Sequence, residues 1–291
     1  MKCNICPRRC GADRENGSLG FCGASNKIRI ARAALHFWEE PCLSGKNGAG
    51  TVFFSHCNMK CVYCQNYRIS TRGAGHEVSI GELAEIFLDL QSRGANNIDL
   101  VTPTHYALDI AEEVKKAKNS GLHIPVLYNC GGYESVETLK RLEGLIDIYM
   151  PDMKYYRDKY AMKYSSAPKY FETACAALEE MYRQTGAVVL DKNGIMQSGV
   201  IVRHMMLPGL MLDTKKIMDY LFDTYGNNIY ISLMSQYTPL KNVERFPELN
   251  RKIDMKKYNS IVDYCMNRGM ENVFIQEGSA AKESFIPCFE E

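Results

Sequence analysis

Thr51-Val52-Phe53-Phe54-Ser55-His56-Cys57-Asn58-Met59-Lys60-Cys61-Val62-Tyr63-Cys64 is the stretch from which the fold can be read. Its first five residues have the β-branched and aromatic make-up of a buried strand. Three cysteines follow at once in the spacing C-x3-C-x2-C. The thiols therefore leave the end of one strand together, on a short loop, and point at one centre. Three thiolates are one short of a closed tetrahedral zinc site, but they suit a 4Fe-4S cluster whose fourth iron stays open to a substrate or cofactor. The plainer alternatives are a zinc knuckle, or three cysteines that line a core, where reduced cysteine is common.

Working outward toward the C-terminus, short apolar runs alternate with stretches of helical periodicity, the mark of βα units and a parallel sheet. Strands are expected at 51–55, 97–101, 124–128, 146–150, 199–206 and 229–233, with a further one at 272–276, and helices at 79–91, 107–119, 135–143, 169–185, 213–225 and 256–268. Six repeats predict an α/β fold, a partial (β/α)6 TIM-like barrel. The stretch 188–196, with Asn193-Gly194 at its turn, reads as a β-hairpin set between the fourth helix and the fifth strand. The apolar segment 284–289 is expected to fold back over the barrel, since left free it would expose both of its phenylalanines.

Toward the N-terminus, Cys3, Cys6, Cys10 and Cys22 sit in a basic, glycine-rich segment with little apolar periodicity. Four thiols can fix a segment too small to fix itself, which predicts a metal-binding extension over 1–48 ahead of a barrel over 49–291. Structural zinc is the preferred metal there; a second iron–sulfur cluster is the rival. Cys42 is either a spare ligand or a small residue in a turn. Residues 27–38 lead back as a strand or extended arm, and the glycine-rich loop 45–50 marks the boundary.

Composition narrows the classes. Lysine plus arginine number 35 against 34 aspartates and glutamates, so no field of one sign draws in nucleic acid or an acidic membrane. No apolar run approaches the ~20 residues of a membrane span, and no signal core opens the chain, so a cytoplasmic protein is expected. In that compartment 12 cysteines point to metal ligation rather than disulfides.

Chemistry in parallel barrels gathers at the C-terminal ends of the strands. Here those ends carry Thr102-Pro103-Thr104-His105, Asn129-Cys130-Gly131-Gly132, Pro151-Asp152-Met153-Lys154, Arg203-His204 and Gln236-Tyr237. Asp152 and Lys154, two apart at a strand end, face one side and form either a site or a surface pair. Arg203 has the planar donor fork for a carboxylate, or bridges carboxylates at the rim. His105 and His204 are candidates for the site or satisfied structural histidines. Cys130 could donate a hydrogen atom; Cys175, Cys265 and Cys288 read as core or incidental.

The pattern C-x3-C-x-Tyr-C, with Tyr63 ahead of the last cysteine, resembles the signature of radical S-adenosylmethionine (SAM) enzymes. From Trp38 onward the chain is similar to the branch related to pyruvate formate-lyase activating enzyme, in particular to its activating proteins of unsettled substrate. The resemblance implies that Cys57, Cys61 and Cys64 hold the cluster, that its open iron binds SAM, and that an electron cleaves the S–C5′ bond to give a 5′-deoxyadenosyl radical. In activating enzymes that radical takes hydrogen from a glycine of a partner glycyl radical enzyme, under anaerobic conditions, with an electron donor such as flavodoxin or ferredoxin. By the same resemblance Asp152 and Lys154 contact SAM, Arg203 matches a SAM-binding arginine, and Tyr237 falls near the place of a histidine. The usual Gly-Gly-Glu stretch is replaced by Thr102-Pro103-Thr104-His105. Thr102, Thr104 and His105, with Tyr63 and Asn129, therefore stand as the remaining candidate cofactor contacts. Two other readings are a radical SAM enzyme acting on a small molecule or peptide, and a metal-stabilised binding module.

Overall fold

The computed structural model describes residues 2–276. The apolar segment 284–289 and Cys288 lie outside the described residues. Seven strands run parallel: β2 (Ala49–Phe54), β4 (Ile98–Val101), β5 (Val126–Cys130), β6 (Ile148–Pro151), β8 (Met196–Met205), β9 (Tyr230–Met234) and β10 (Val273–Ile275). The arm ahead of them is β1 (Arg29–His36), antiparallel to β2, and a two-residue β3 (His76–Glu77) pairs with its other side. The sheet order is β10-β9-β8-β6-β5-β4-β2-β1-β3, so that among the described residues β10 and β3 are its outer strands. The expected hairpin is present: β7 (Val189–Leu190) pairs antiparallel with the start of β8.

Helices α3 (Glu82–Ser92), α4 (Ala107–Asn119), α5 (Val136–Lys140), α7 (Tyr170–Thr185), α8 (Met211–Tyr225) and α9 (Met255–Asn267) stand where periodicity placed them, with α5 ending three residues short. Each presents an apolar stripe to the sheet; in α4 it is Ile110, Ala111, Val114 and Ala117. Strands β2, β4 and β6 are buried at every position, because helices cover one face and the barrel interior the other. Three helices fall outside the sequence expectation: α1 (Pro41–Ser44), α2 (Tyr67–Ser70) and α6 (Asp158–Ser165). The last buries only Ala161, Tyr164 and Ser165, too sparse a stripe to be read from the sequence, and packing stabilises it.

The seven parallel strands bring their C-terminal ends to one side. Glycine is required where two of them meet. A Cβ on Gly132, whose φ is +74°, would stand 2.1 Å from the Asp152 carbonyl oxygen, and one on Gly131 would stand 2.7 Å from Met59 Sδ. The β5 end can thus lie flush against both β6 and the cysteine loop.

Candidate active site

The loop 56–64 turns sharply off β2, with His56 and Lys60 both at positive φ, 76° and 54°. Such backbone costs free energy and persists where surrounding structure holds it. Here Gly73 and Gly23 leave room for the His56 ring, which a Cβ at Gly73 would meet at 2.5 Å. Cys57, Cys61 and Cys64 then line one side of a cavity of about 260 Å³ at the strand ends.

Each of the three sulfurs has a donor aimed at it. Met59 N–H donates to Cys57 Sγ at 3.3 Å, Ser70 Oγ to Cys64 Sγ at 3.3 Å, and Ser165 Oγ to Cys61 Sγ at 2.9 Å. Burial pushes the free Cys57 thiol up to about 12 and raises Cys64 as well. Unaided, Cys57 and Cys64 keep their protons, so a cationic metal centre is what would make thiolates of them, and the three donors suit thiolate acceptors. This donor set fits a cluster held by three cysteines. Among the described residues, no group of three or more His, Cys, Asp or Glu side chains is already drawn together around a single ion.

Across the cavity stand Thr102, Asn129, Cys130, Asp152, Lys154 and Arg203. Thr102 adopts φ +60°, uncommon for a β-branched residue, at the β4 end. Lys154 Nζ meets Asp152 Oδ2 at 2.5 Å. Burial works against the Lys154 charge, but Asp152 and the nearby Cys61 outweigh it and hold its pKa above the ordinary lysine value. Tyr170 fixes this corner: its hydroxyl donates to the Gly131 and Asp152 carbonyls, each at 2.9 Å, and accepts from Lys154 N–H.

Arg203 lies beside Asp152 in the sheet, but its fork is not free for a cofactor carboxylate. Nε donates to Glu40 Oε1 at 2.9 Å and Nη2 to Glu40 Oε2 at 2.5 Å, and Nη2 also meets Glu39. The rim-bridging alternative is the one the geometry favours, except that the bridge is buried. Burial would raise the Glu40 carboxyl, yet the Arg203 charge holds it below the usual range. Next to the triad, Asp99 is wholly buried, and burial followed by the Glu39 charge raises its pKa well above that range.

Three residues expected at the cofactor lie behind the wall instead. Thr104 donates to Glu134 Oε1 at 2.7 Å. His105 Nε2 bonds the Ser55 carbonyl at 2.7 Å, which ties the β4 end to β2, and burial pushes its pKa down to about 3. Tyr237 packs edge-on against Tyr63 and donates to the Leu249 carbonyl, while its neighbour Gln236 faces the cavity. His204 is a satisfied core histidine, bonded to the Met153 carbonyl and to Thr214 Oγ1. Tyr63 and Asn129 stand on the wall. Sequence reasoning passed over Glu39, Glu40, Ser70 and Ser165. The pair Glu39-Glu40 before Pro41 was a visible signal, but nothing in its position links it to Arg203, 163 residues away from Glu40.

The N-terminal thiols also converge. Cys3, Cys6, Cys10 and Cys22 all line one small cavity of about 10 Å³, together with Arg8 and Arg14. Arg14 donates to Cys22 Sγ at 3.2 Å and to the His105 carbonyl at 2.6 Å, and Thr138 donates to the Ile5 carbonyl at 2.6 Å. The segment is therefore seated on the loops that follow β4 and β5. Cys42 is buried in α1, away from both thiol groups.

The radical SAM superfamily model matches residues 51–221. Over 282 residues the chain is 26% identical to an uncharacterized protein of Methanocaldococcus jannaschii, covering 94% of this chain and 76% of that one. Among solved structures it resembles Streptococcus suis SuiB bound to precursor peptide SuiA, with a TM-score of 0.53 at 12% identity over 76% of this chain and 46% of that one. It also resembles the methylornithine synthase PylB, with a TM-score of 0.50 at 16% identity over 72% of this chain and 59% of that one. The chain thus spans about half the length of these solved structures, and at such identities the likeness is one of fold.

Proposed function

The chain belongs to the radical SAM superfamily, whose members work with a 4Fe-4S cluster and SAM, and we propose that it is an activating enzyme of the pyruvate formate-lyase type, taking hydrogen from a glycine of a partner glycyl radical enzyme. The observation that carries the enzyme reading is the convergence of Cys57, Cys61 and Cys64, each with its own hydrogen-bond donor, on a cavity that also holds the Asp152–Lys154 pair. The activating role rests on the resemblance from Trp38 onward.

When bound, the cluster supplies the electron that splits SAM into methionine and the 5′-deoxyadenosyl radical that abstracts hydrogen. The three cysteines hold it; Asp152 and Lys154 offer an acceptor and a donor to the polar groups of SAM, with Thr102 and Asn129 beside them. Arg203 takes a different part from the one the resemblance implies: it binds Glu39 and Glu40 and fixes them beneath the cavity. Tyr63 packs behind the loop, and Thr104, His105 and Tyr237 support the wall. A low-potential donor such as flavodoxin or ferredoxin provides the electron. Among the described residues, no helix is long and apolar enough to cross a membrane.

The four N-terminal thiols are read as a structural zinc site. They line one small cavity, and four cysteines are the ligand set of a structural zinc site.

Anaerobically reconstituted protein should bind about four irons at the barrel site, and the Cys57→Ala/Cys61→Ala/Cys64→Ala variant should lose them. Reduced with dithionite, the loaded protein should release 5′-deoxyadenosine and methionine from SAM. A glycyl radical seen by electron paramagnetic resonance in a co-purifying partner establishes the activating role. Deuterium passing from a labelled small molecule or peptide into 5′-deoxyadenosine replaces it with the other substrate class. Loaded, reduced protein that forms no 5′-deoxyadenosine overturns the enzyme reading.

A further inference from the structure

Arg8 stands between the two cysteine sites, in the turn that joins Cys6 to Cys10, and the chemistry above makes no use of it. Its guanidinium reaches out of the N-terminal segment into the barrel. Nε donates to the Asn58 carbonyl at 2.8 Å, Nη2 to the Ser165 carbonyl at 3.2 Å, and Nη1 to the Ser166 carbonyl. Asn58 directly follows Cys57. Ser165 is the residue whose hydroxyl donates to Cys61 Sγ at 2.9 Å. One cation therefore grips both the loop that carries the barrel cysteines and the turn that aims a donor at one of them.

The grip has support on each side. The Phe21 ring, adjacent to Cys22, lies 3.9 Å from the guanidinium carbon. Ser166 is held at φ +47° and Arg9 at φ +40°, conformations that relax unless neighbours fix them. Tyr155 OH lies 2.6 Å from Ser165 Oγ and 2.7 Å from Tyr63 OH, extending the hydrogen-bond chain away from the sulfur. Hydrogen bonds to cluster sulfurs raise a reduction potential, because they favour the form with one more electron.

We propose that Arg8 is a positioning residue that couples the N-terminal cysteine site to the reduction potential of the barrel cluster, acting through the Ser165–Cys61 hydrogen bond. The proposal rests on the readings of Cys57, Cys61 and Cys64 as cluster ligands and of Cys3, Cys6, Cys10 and Cys22 as a metal site. With the N-terminal metal in place, the Cys6–Cys10 turn is fixed and Arg8 holds Ser165 in line with the sulfur. With the metal gone, the turn loosens, the donor swings off, and the cluster becomes harder to reduce.

Redox titration of the reconstituted full chain, followed by electron paramagnetic resonance, tests this. Ser165→Ala and Arg8→Gln should each lower the reduced-to-oxidised ratio at the wild-type midpoint about tenfold, which is about 59 mV for a one-electron couple. Combined, they should lower it no further than the larger single change, since both remove one hydrogen bond. Arg8→Lys, which keeps the charge and loses the three-way fork, should behave as Arg8→Gln, and Ser165→Thr, which keeps the hydroxyl, should behave as wild type. Cys10→Ser should lower the ratio in the wild-type background but not beside Arg8→Gln. Full restoration by Arg8→Lys, additive shifts in the double variant, or a midpoint indifferent to both single changes overturns the coupling. A wild-type protein that takes up no cluster overturns the reading beneath it instead.

Discussion

Replacing Arg203 by methionine removes a buried charge and keeps most of the side-chain volume, leaving Glu39 and Glu40 without their partner. At an effective dielectric of about 20, each contact near 4 Å is worth roughly 4 kcal/mol, so two stranded carboxylates would together cost more than most domains can spare. They have a cheaper escape. Neutralising one carboxyl of ordinary pKa, about 4.3, costs about 3.7 kcal/mol at pH 7, and this caps the penalty per group. The variant should therefore lose about 4 kcal/mol at pH 7 if one proton is taken up, and only about 1 kcal/mol at pH 5, where that proton is nearly free. Urea unfolding of metal-free protein at the two pH values measures both. Adding Glu39→Gln and Glu40→Gln to the variant should recover most of the loss, because the surplus charges go with the arginine. A loss under about 1 kcal/mol at pH 7, or one that is equal at both pH values, refutes the reasoning. Were Arg203 instead the contact for the SAM carboxylate, the defect would appear in SAM binding and the unfolding midpoint would hardly move.

Lys154→Ala should weaken SAM binding at least tenfold, about 1.4 kcal/mol, with iron content unchanged; equilibrium dialysis beside iron analysis checks it, and parallel loss of iron would place Lys154 in the cluster's support instead. Glu134 supplies a pH test. Burial raises its carboxyl to about 7 against the hydrogen bonds from Thr104 and Tyr128, so the folded state holds a proton that the unfolded chain, with a pKa of about 4.3, releases. Stability from this group is complete below about pH 4.3 and is lost as pH rises through about 7, by at most ~1.4 kcal/mol per pH unit. Glu134→Gln, which keeps an acceptor for Thr104 and Tyr128, should remove that slope, and identical slopes in the two proteins would show that Glu134 is not the group responsible. For the N-terminal site, changing Cys3, Cys6, Cys10 and Cys22 to serine should abolish one tightly held metal and leave the barrel's helical signal in place; metal retained by that variant would show that other residues bind it.

The barrel was legible because its signals are local. Apolar runs such as Ile148–Pro151 and helical stripes such as that of α4 lie within single elements, and burial on both faces writes itself into β2 as a run that ends Val52-Phe53-Phe54. The cysteine loop was legible for the same reason, since its three thiols lie within eight residues. What escaped was long-range. Ser165 meets Cys61 across 104 positions and Arg8 meets Ser165 across 157, and no periodicity records either approach. The His105 and Tyr237 side chains turn behind the wall, where the Ser55 and Leu249 carbonyls offer them partners. Polarity at a strand end therefore predicted nearness to the cavity without saying which side chains would enter it.

A sheet whose outer strands, among the described residues, do not pair with each other can curl tightly or open out, and strand pairing alone does not choose. The Glu39–Glu40–Arg203 contact joins the segment after β1 directly to β8, although β2, β4, β5 and β6 lie between them in the sheet. It is a chord drawn across an arc, with Glu40 reaching on to Ser232 of β9. A chord of fixed length fixes curvature, so the gauge of the chamber above it is set before anything enters. Selection among guests then falls to those whose girth suits that gauge, rather than to walls that reshape around each one.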